Sequence, residues 1–189
     1  MTVDPTAAYK DPRKQWDVEW SGIYLNYYWH THDHYKVVEQ YLWMHVLDVG
    51  CGPGFLAARC YPNIGWYTGV DISEAAIDTA RMLFPGAHFH VLDAEHNKLP
   101  FGDNTFETVV CSETLEHLTD HSLILPELRR VSKVYMVITV PYNMPGCGHV
   151  YPKWEYNDVI AKFTPLGKIL EVRWLTEGNF WLVHIRKQT

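Results

Sequence analysis

Two clusters of residues in this sequence have the types and spacing to do chemistry. The first is Val46-Leu47-Asp48-Val49-Gly50-Cys51-Gly52-Pro53-Gly54, an apolar run ending in three glycines spaced two apart. Bare glycines let a ligand approach the backbone, and the N–H groups that open a following helix point at it. Gly69-Val70-Asp71 repeats the pattern of a strand ending in a carboxylate; an acid there suits the diol of a ribose. The second cluster is Cys111-Ser112-Glu113-Thr114-Leu115-Glu116-His117-Leu118. On a helix, Glu113, Glu116 and His117 stand at i, i+3 and i+4 and share one face. Two carboxylates held together repel unless positive charge sits between them. A mixed O/O/N set suits Mg²⁺, Mn²⁺, Fe²⁺ or Zn²⁺. Without an ion, His117 or the later His149 is a candidate general base, because histidine titrates near neutral pH.

These residues need a scaffold of alternating elements. The pattern predicts strands near 45–49, 66–70, 88–91, 106–111 and 134–140. Helices are expected near 54–60, 73–83, 112–117 and 122–132. Strands alternating with helices imply parallel pairing through crossovers. Residues 169–175 and 180–185 add two strands around Gly178-Asn179, a turn that suits an antiparallel hairpin. The expectation is one α/β domain over 1–189, with a tail and lid-like helix in 1–35 and a core in 42–189.

The glycine run does not fit the dinucleotide fingerprint G-x-G-x-x-G. Its third glycine, Gly54, comes one residue early, and Phe55 fills the place of a small residue. V-L-D-V-G-C-G-P-G instead closely resembles the first motif of class I S-adenosylmethionine-dependent methyltransferases of the type 11-like group. The resemblance continues through Gly69-Val70-Asp71-Ile72-Ser73, Val91-Leu92-Asp93-Ala94-Glu95, Leu99-Pro100-Phe101 and Phe106-Glu107-Thr108-Val109-Val110. It covers residues 46 to 141. It implies a Rossmann-like, seven-stranded, mostly parallel sheet with helices on both faces and a C-terminal antiparallel hairpin. It also implies S-adenosylmethionine as cofactor. Gly50, Cys51, Gly52 and Gly54 would line the methionine half, with Asp48 under the loop. Asp71 would take the ribose hydroxyls, and Ile72 would pack on the adenine. Asp93 and Ala94 would meet the adenine edge, and Cys111 and Ser112 would end beside the sulfonium. The plainer alternative for Asp71 and Asp93 is loop capping. Relatives carry a Pro-Gly-Gly turn before strand five; here Leu128-Arg129-Arg130-Val131-Ser132-Lys133 must make the junction differently.

The E-x-x-E-H segment resembles that of ubiquinone-biosynthesis O-methyltransferases. It also resembles that of small-RNA 3′-terminal 2′-O-methyltransferases, which add a distant histidine; His149 is the candidate for that place. The resemblance implies two alternatives. Glu113, Glu116, His117 and His149 form a divalent-metal set, or the same residues form a metal-free polar site of the kind many small-molecule methyltransferases carry. Tyr142, Asn143, Trp154 and Tyr28, with Tyr151, are candidates for the acceptor wall. The leading expectation is O-methylation of a small-molecule acceptor. The alternatives are methylation of a terminal RNA nucleotide and a non-catalytic binding module; the intact glycines and cofactor carboxylates argue against the module.

Composition supplies boundaries. The chain has 189 residues and a formal net charge of −6 without a long basic run. That disfavours extended nucleic-acid binding, which needs many phosphate contacts. None of its four cysteines form a C-x-x-C pair, which argues against a zinc knuckle. No signal-like N-terminus or membrane-length apolar run appears, so the expectation is a cytoplasmic monomer or homodimer. Residues 1–15 read as a loose tail. Trp16 to Trp29 has ring-bearing residues at helical spacing. His30-Thr31-His32-Asp33-His34 reads as a solvated turn capped by Thr31 or Asp33 rather than an ion site.

Overall fold

The structure, a computed structural model, describes residues 12–20, 34–60, 66–144, 148–176 and 179–188. Tyr28, the run His30 to Asp33, Cys147 and Gly178 lie outside the described residues. One sheet holds β1 (Val46–Val49), β2 (Tyr67–Asp71), β3 (His88–Val91), β4 (Phe106–Ser112), β5 (Ser132–Pro141), β6 (Lys168–Leu175) and β7 (Phe180–Arg186). Their order is β3-β2-β1-β4-β5-β7-β6. The first five pair in parallel, and β7 runs antiparallel between β5 and β6.

Every residue of β1 and β2 is buried, as strands covered on both faces require. One face packs under α2 (Tyr35–Val38), α3 (Phe55–Cys60) and α4 (Glu74–Leu83), around Val38, Leu56, Ile77 and Leu182. The other packs under α5 (Ile124–Val131) and α6 (Tyr156–Phe163), around Leu47, Leu128, Ile138 and Phe163. A further helix, α1 (Pro12–Trp20), precedes these. Chain order reverses between β1 and β4, which opens a crevice at their carboxyl ends, the side where ligands enter such sheets.

Several local expectations change. Helix α1 takes in Pro12 to Gln15, which the sequence suggested were tail. His34, expected in a solvated turn, is buried at 2% exposure. Its ring lies 4.2 Å from that of Tyr35 and 5.1 Å from that of Phe180. The helix expected over 112–117 does not form. Strand β4 continues to Ser112, paired with Thr139 of β5. Glu113 then turns left-handed at φ 54°, and only a 3-10 turn, Leu115–His117, follows. Ladder pairing holds the chain extended past the point where a helix would start. The junction before β5 needs no glycine turn: α5 ends at Val131 and the strand starts at Ser132, whose hydroxyl donates to the Tyr135 carbonyl at 3.0 Å. Helix α6 was not anticipated. Its signal was the acid pair Glu155 and Asp158, which form a capping box.

Candidate active site

The cofactor half is built by the loop after β1 and the end of β2. Gly50 has φ 77°, and a Cβ there would come within 2.1 Å of the Thr114 hydroxyl. Glycine lets the β4 turn lie on the β1 loop, where the Thr114 hydroxyl sits 3.1 Å from the Val49 carbonyl. Asp71 accepts from Gly52 N–H at 2.8 Å and from Ser73 N–H at 2.9 Å. Burial raises its pKa, and those backbone N–H groups oppose the rise. Beneath the loop, the Tyr67 hydroxyl donates to Asp48 at 2.5 Å. Burial pushes Asp48 up to about 7, against the pull of the Tyr67 hydrogen bond. Asp93 accepts from Glu95 and His96 N–H at 3.1 and 3.3 Å.

Asp71 and Asp93 therefore cap loops, as the plainer alternative had it, and also line a cleft together with Gly50, Ile72 and Ala94. Glu113, Thr114, His117 and Leu118 form the opposite wall, and Trp16 and Trp20 of α1 also line the cleft. Of the other candidates, Asp48, Cys51, Gly54, Cys111 and Ser112 are buried behind that lining. Ser112 shares a hydrogen bond with Thr139 at 2.8 Å. Gly52, φ 51°, faces Trp20.

Around His117, which lines the cleft, further ionisable groups gather behind the wall. Among the described residues, Glu116, His117 and His149 offer ligand atoms that all lie within 4.8 Å of one another. The Glu116 carbonyl accepts from Val150 and Tyr151 N–H at 2.8 and 3.0 Å, which ties the loop carrying His149 to the 3-10 turn. His149 Nδ1 donates to the Met144 carbonyl at 2.8 Å; a carbonyl only accepts, so Nε2 keeps the lone pair. The His117 and His149 rings meet edge to face at 4.7 Å. Both oxygens of the buried Glu116 carboxylate, and His117 Nδ1, have no hydrogen-bond partner. Burial pushes Glu116 up to about 8. Burial, then the neighbouring His149, pull His117 down to about 4, and burial lowers His149. Glu113 stands outside this set. Its carboxylate accepts from the Thr139 hydroxyl at 2.7 Å, and burial, then Glu116, hold it well above the usual carboxylate range. The lost helix explains this: Glu113 sits on the left-handed turn rather than one helical turn from Glu116.

The acceptor candidates fall elsewhere. Trp154 is core, 4% exposed, stacked on Phe163 at 5.8 Å, with its Nε1–H on the Tyr151 carbonyl. Tyr142 packs against Trp174 and Trp181 at 4.7 and 6.3 Å, and Asn143 bridges to Lys153. None of the three lines the cleft. Trp16 and Trp20 line the cleft; the aromatic spacing leaves core packing and a lid as equal alternatives for their helix.

Comparison with known proteins agrees with this geometry. Residues 47–135 match the family model described as a methyltransferase domain. The chain is 40% identical over 91 residues to a ubiquinone/menaquinone biosynthesis C-methyltransferase of Desulfotalea psychrophila, covering 47% of this chain and 37% of that protein. It is 30% identical over 132 residues to a ubiquinone biosynthesis O-methyltransferase of Neisseria meningitidis, covering 65% and 53%. The chain thus spans about half or less of these relatives' lengths. A solved S-adenosylmethionine-dependent methyltransferase from Aquifex aeolicus superposes with a TM-score of 0.68 at 21% identity, covering 99% of this chain and 100% of that one; at that identity it speaks for the fold alone. No helix among the described residues is long and apolar enough to cross a membrane. The seven-stranded sheet with its reversed last pair, the glycine loop and the acid closing β2 agree with that match: residues 47–135 are similar to the methyltransferase domain, and the sheet has the fold of solved S-adenosylmethionine-dependent methyltransferases.

Proposed function

We propose that the chain transfers a methyl group from S-adenosylmethionine to an oxygen of a small-molecule acceptor, with a divalent cation held by Glu116, His117 and His149. The cofactor reading is supported by Asp71, which the Gly52 and Ser73 N–H groups aim along one wall of the cleft. Asp71 would accept from the ribose hydroxyls, with Ile72 and Ala94 against the adenine. When bound, S-adenosylmethionine supplies a methyl on a positively charged sulfur, transferred by in-line displacement that leaves the electron pair on sulfur.

The cation reading is carried by one observation. Glu116 buries a carboxylate whose two oxygens meet no donor, beside two histidines that burial keeps neutral. A lone buried carboxylate is costly to ionise; a cation among one acid and two bare imidazole nitrogens removes that cost. The Met144 carbonyl fixes the His149 tautomer, as outer-shell partners of metal ligands do. A divalent ion would supply a lowered pKa to the acceptor hydroxyl. Glu113, clamped by Thr139, orients that hydroxyl from the same wall. Leu118 and Trp16 give the mouth an apolar border suited to a small organic acceptor.

The test is metal analysis of the purified protein together with a methyl-transfer screen over phenols, sugars, acids and RNA ends. One bound divalent ion, activity lost in EDTA, and both lost in Glu116→Gln are the expected results. Unchanged turnover in EDTA by metal-free protein rules out the cation, and transfer to RNA ends alone replaces the acceptor class.

A further inference from the structure

The glycine loop and Asp71 leave two indoles of the cleft unaccounted for. Trp16 and Trp20 stack at 6.1 Å with 19° between planes. Trp16 sets its ring edge to face with that of His117 at 4.6 Å. Trp20 leans on Phe55 at 5.6 Å and covers Gly52 so closely that a Cβ there would sit 3.4 Å from its ring. Both rings ride on α1, a helix of nine residues. So short a helix is marginal by itself, so its place over the cleft depends on what anchors it.

One anchor is Asp17. Its Oδ1 accepts from the Ser73 hydroxyl at 2.6 Å and from Ala75 N–H at 3.2 Å. Ser73 caps α4, its hydroxyl oxygen accepting from Ala76 N–H at 3.1 Å. The same residue donates its own N–H to Asp71. Ser73 therefore holds the acid at the end of β2 through its backbone and α1 through its side chain. The carboxylate of Asp17 also lies at a helix N-terminus, where negative charge is favoured.

We infer that Asp17 is a positioning residue of the cofactor site: through Ser73 and Ala75 it latches the lid-like helix α1, and with it Trp16 and Trp20, over the ligand. This rests on the reading of the cleft as the S-adenosylmethionine site. A ligand lying between Asp71 and the glycine loop has the two indoles over it. It leaves when the Asp17 latch opens and α1 lifts, so the latch governs the dissociation rate more than the association rate.

The experiment uses the full chain and S-adenosylhomocysteine as probe, with affinity from calorimetry and dissociation from stopped-flow displacement. Asp17→Ala is expected to speed dissociation about tenfold, the effect of losing one charge-assisted hydrogen bond, with association within about twofold. Trp16→Leu, which keeps the latch, is expected to weaken binding to a similar degree. The pair Asp17→Ala and Ser73→Ala should be non-additive, the double variant matching the weaker single one. A wild-type dissociation rate in Asp17→Ala, or strict additivity with Ser73→Ala, overturns the latch. Wild-type protein that binds no S-adenosylhomocysteine overturns the cofactor reading instead, so the two failures are told apart.

Discussion

The two walls of the cleft solve opposite problems. On the cofactor wall the acids meet protein donors: Asp71 from Gly52 and Ser73, Asp93 from Glu95 and His96, and Asp48 beneath from Tyr67. On the wall proposed for transfer, Glu116 and His117 Nδ1 are buried with no hydrogen-bond partner. The first wall is pre-organised by its own chain, so a ligand finds its contacts already aimed. The second has unmet hydrogen-bonding capacity, which a native structure retains where a ligand, ion or reacting group completes it. Pre-organisation and incompleteness adjoin because the loops after β1 and β2 aim backbone N–H groups, whereas the turn after β4 aims side chains, of which His117 reaches the cleft and Glu116 lies buried behind it.

Crossing the two walls gives the largest expected effects. Asp71→Ala removes the acceptor and strands the Gly52 and Ser73 N–H groups; S-adenosylhomocysteine affinity should fall about 100-fold, roughly the strength of one or two charge-assisted hydrogen bonds. Glu116→Gln should do the converse, lowering turnover about 100-fold or more while leaving that affinity within about twofold. Calorimetry on both variants, with turnover on the best acceptor, reads the cross. Comparable losses of affinity in the two variants would erase the distinction between the walls.

The pH dependence of stability sharpens it. Asp48 and Glu116 both have folded pKa values, about 7 and about 8, above their ordinary values of 3.8 and 4.5. A group whose folded pKa is raised makes the folded state bind the extra proton, so stability falls as pH rises. The window runs from about the ordinary value to the raised one, and the loss is on the order of a few kcal/mol per group. These two acids lower the melting temperature of metal-free protein between pH 5 and pH 8, while His117, lowered to about 4, opposes part of that fall below about pH 6.5. Added Mn²⁺ or Mg²⁺ should recover the share due to Glu116 and leave that of Asp48. Asp48→Asn should flatten the slope without changing the response to metal. Melting curves in EDTA and with added ion decide this, and an ion response that survives Glu116→Gln would place the cation elsewhere.

The contrast between the walls also marks what was legible in the sequence. Glycine spacing and strand-ending acids specify backbone geometry locally, so Gly50, Asp71 and the sheet that carries them could be read directly. The hairpin of β6 and β7 was legible for the same reason, from two alternating runs around a turn. Glu113 was not. Its spacing to Glu116 suggests a helix, but pairing of Ser112 with Thr139 extends β4 past that start, a tertiary contact no local pattern encodes. His149 joins His117 through two backbone bonds to the Glu116 carbonyl, equally invisible in residue types. Trp16 was visible as part of an aromatic stripe, but its place on the cleft depends on Asp17 reaching Ser73, 56 residues away.

Trp154 gives the smallest expected effect and tests the boundary between core and site. An aromatic residue shortly after His149 suggested an acceptor wall, yet its ring is stacked in the core on Phe163 and its Nε1–H is satisfied by Tyr151. The Trp154 carbonyl in turn accepts from Trp181 Nε1–H at 2.8 Å, so the residue links α6 to β7. Trp154→Phe removes one hydrogen bond and part of a buried ring. It should cost about 1–3 kcal/mol of stability, while the acceptor KM stays within about twofold. Denaturant unfolding beside steady-state kinetics separates the two readings. A large rise in acceptor KM at unchanged stability would return Trp154 to the pocket and redraw the transfer wall around it.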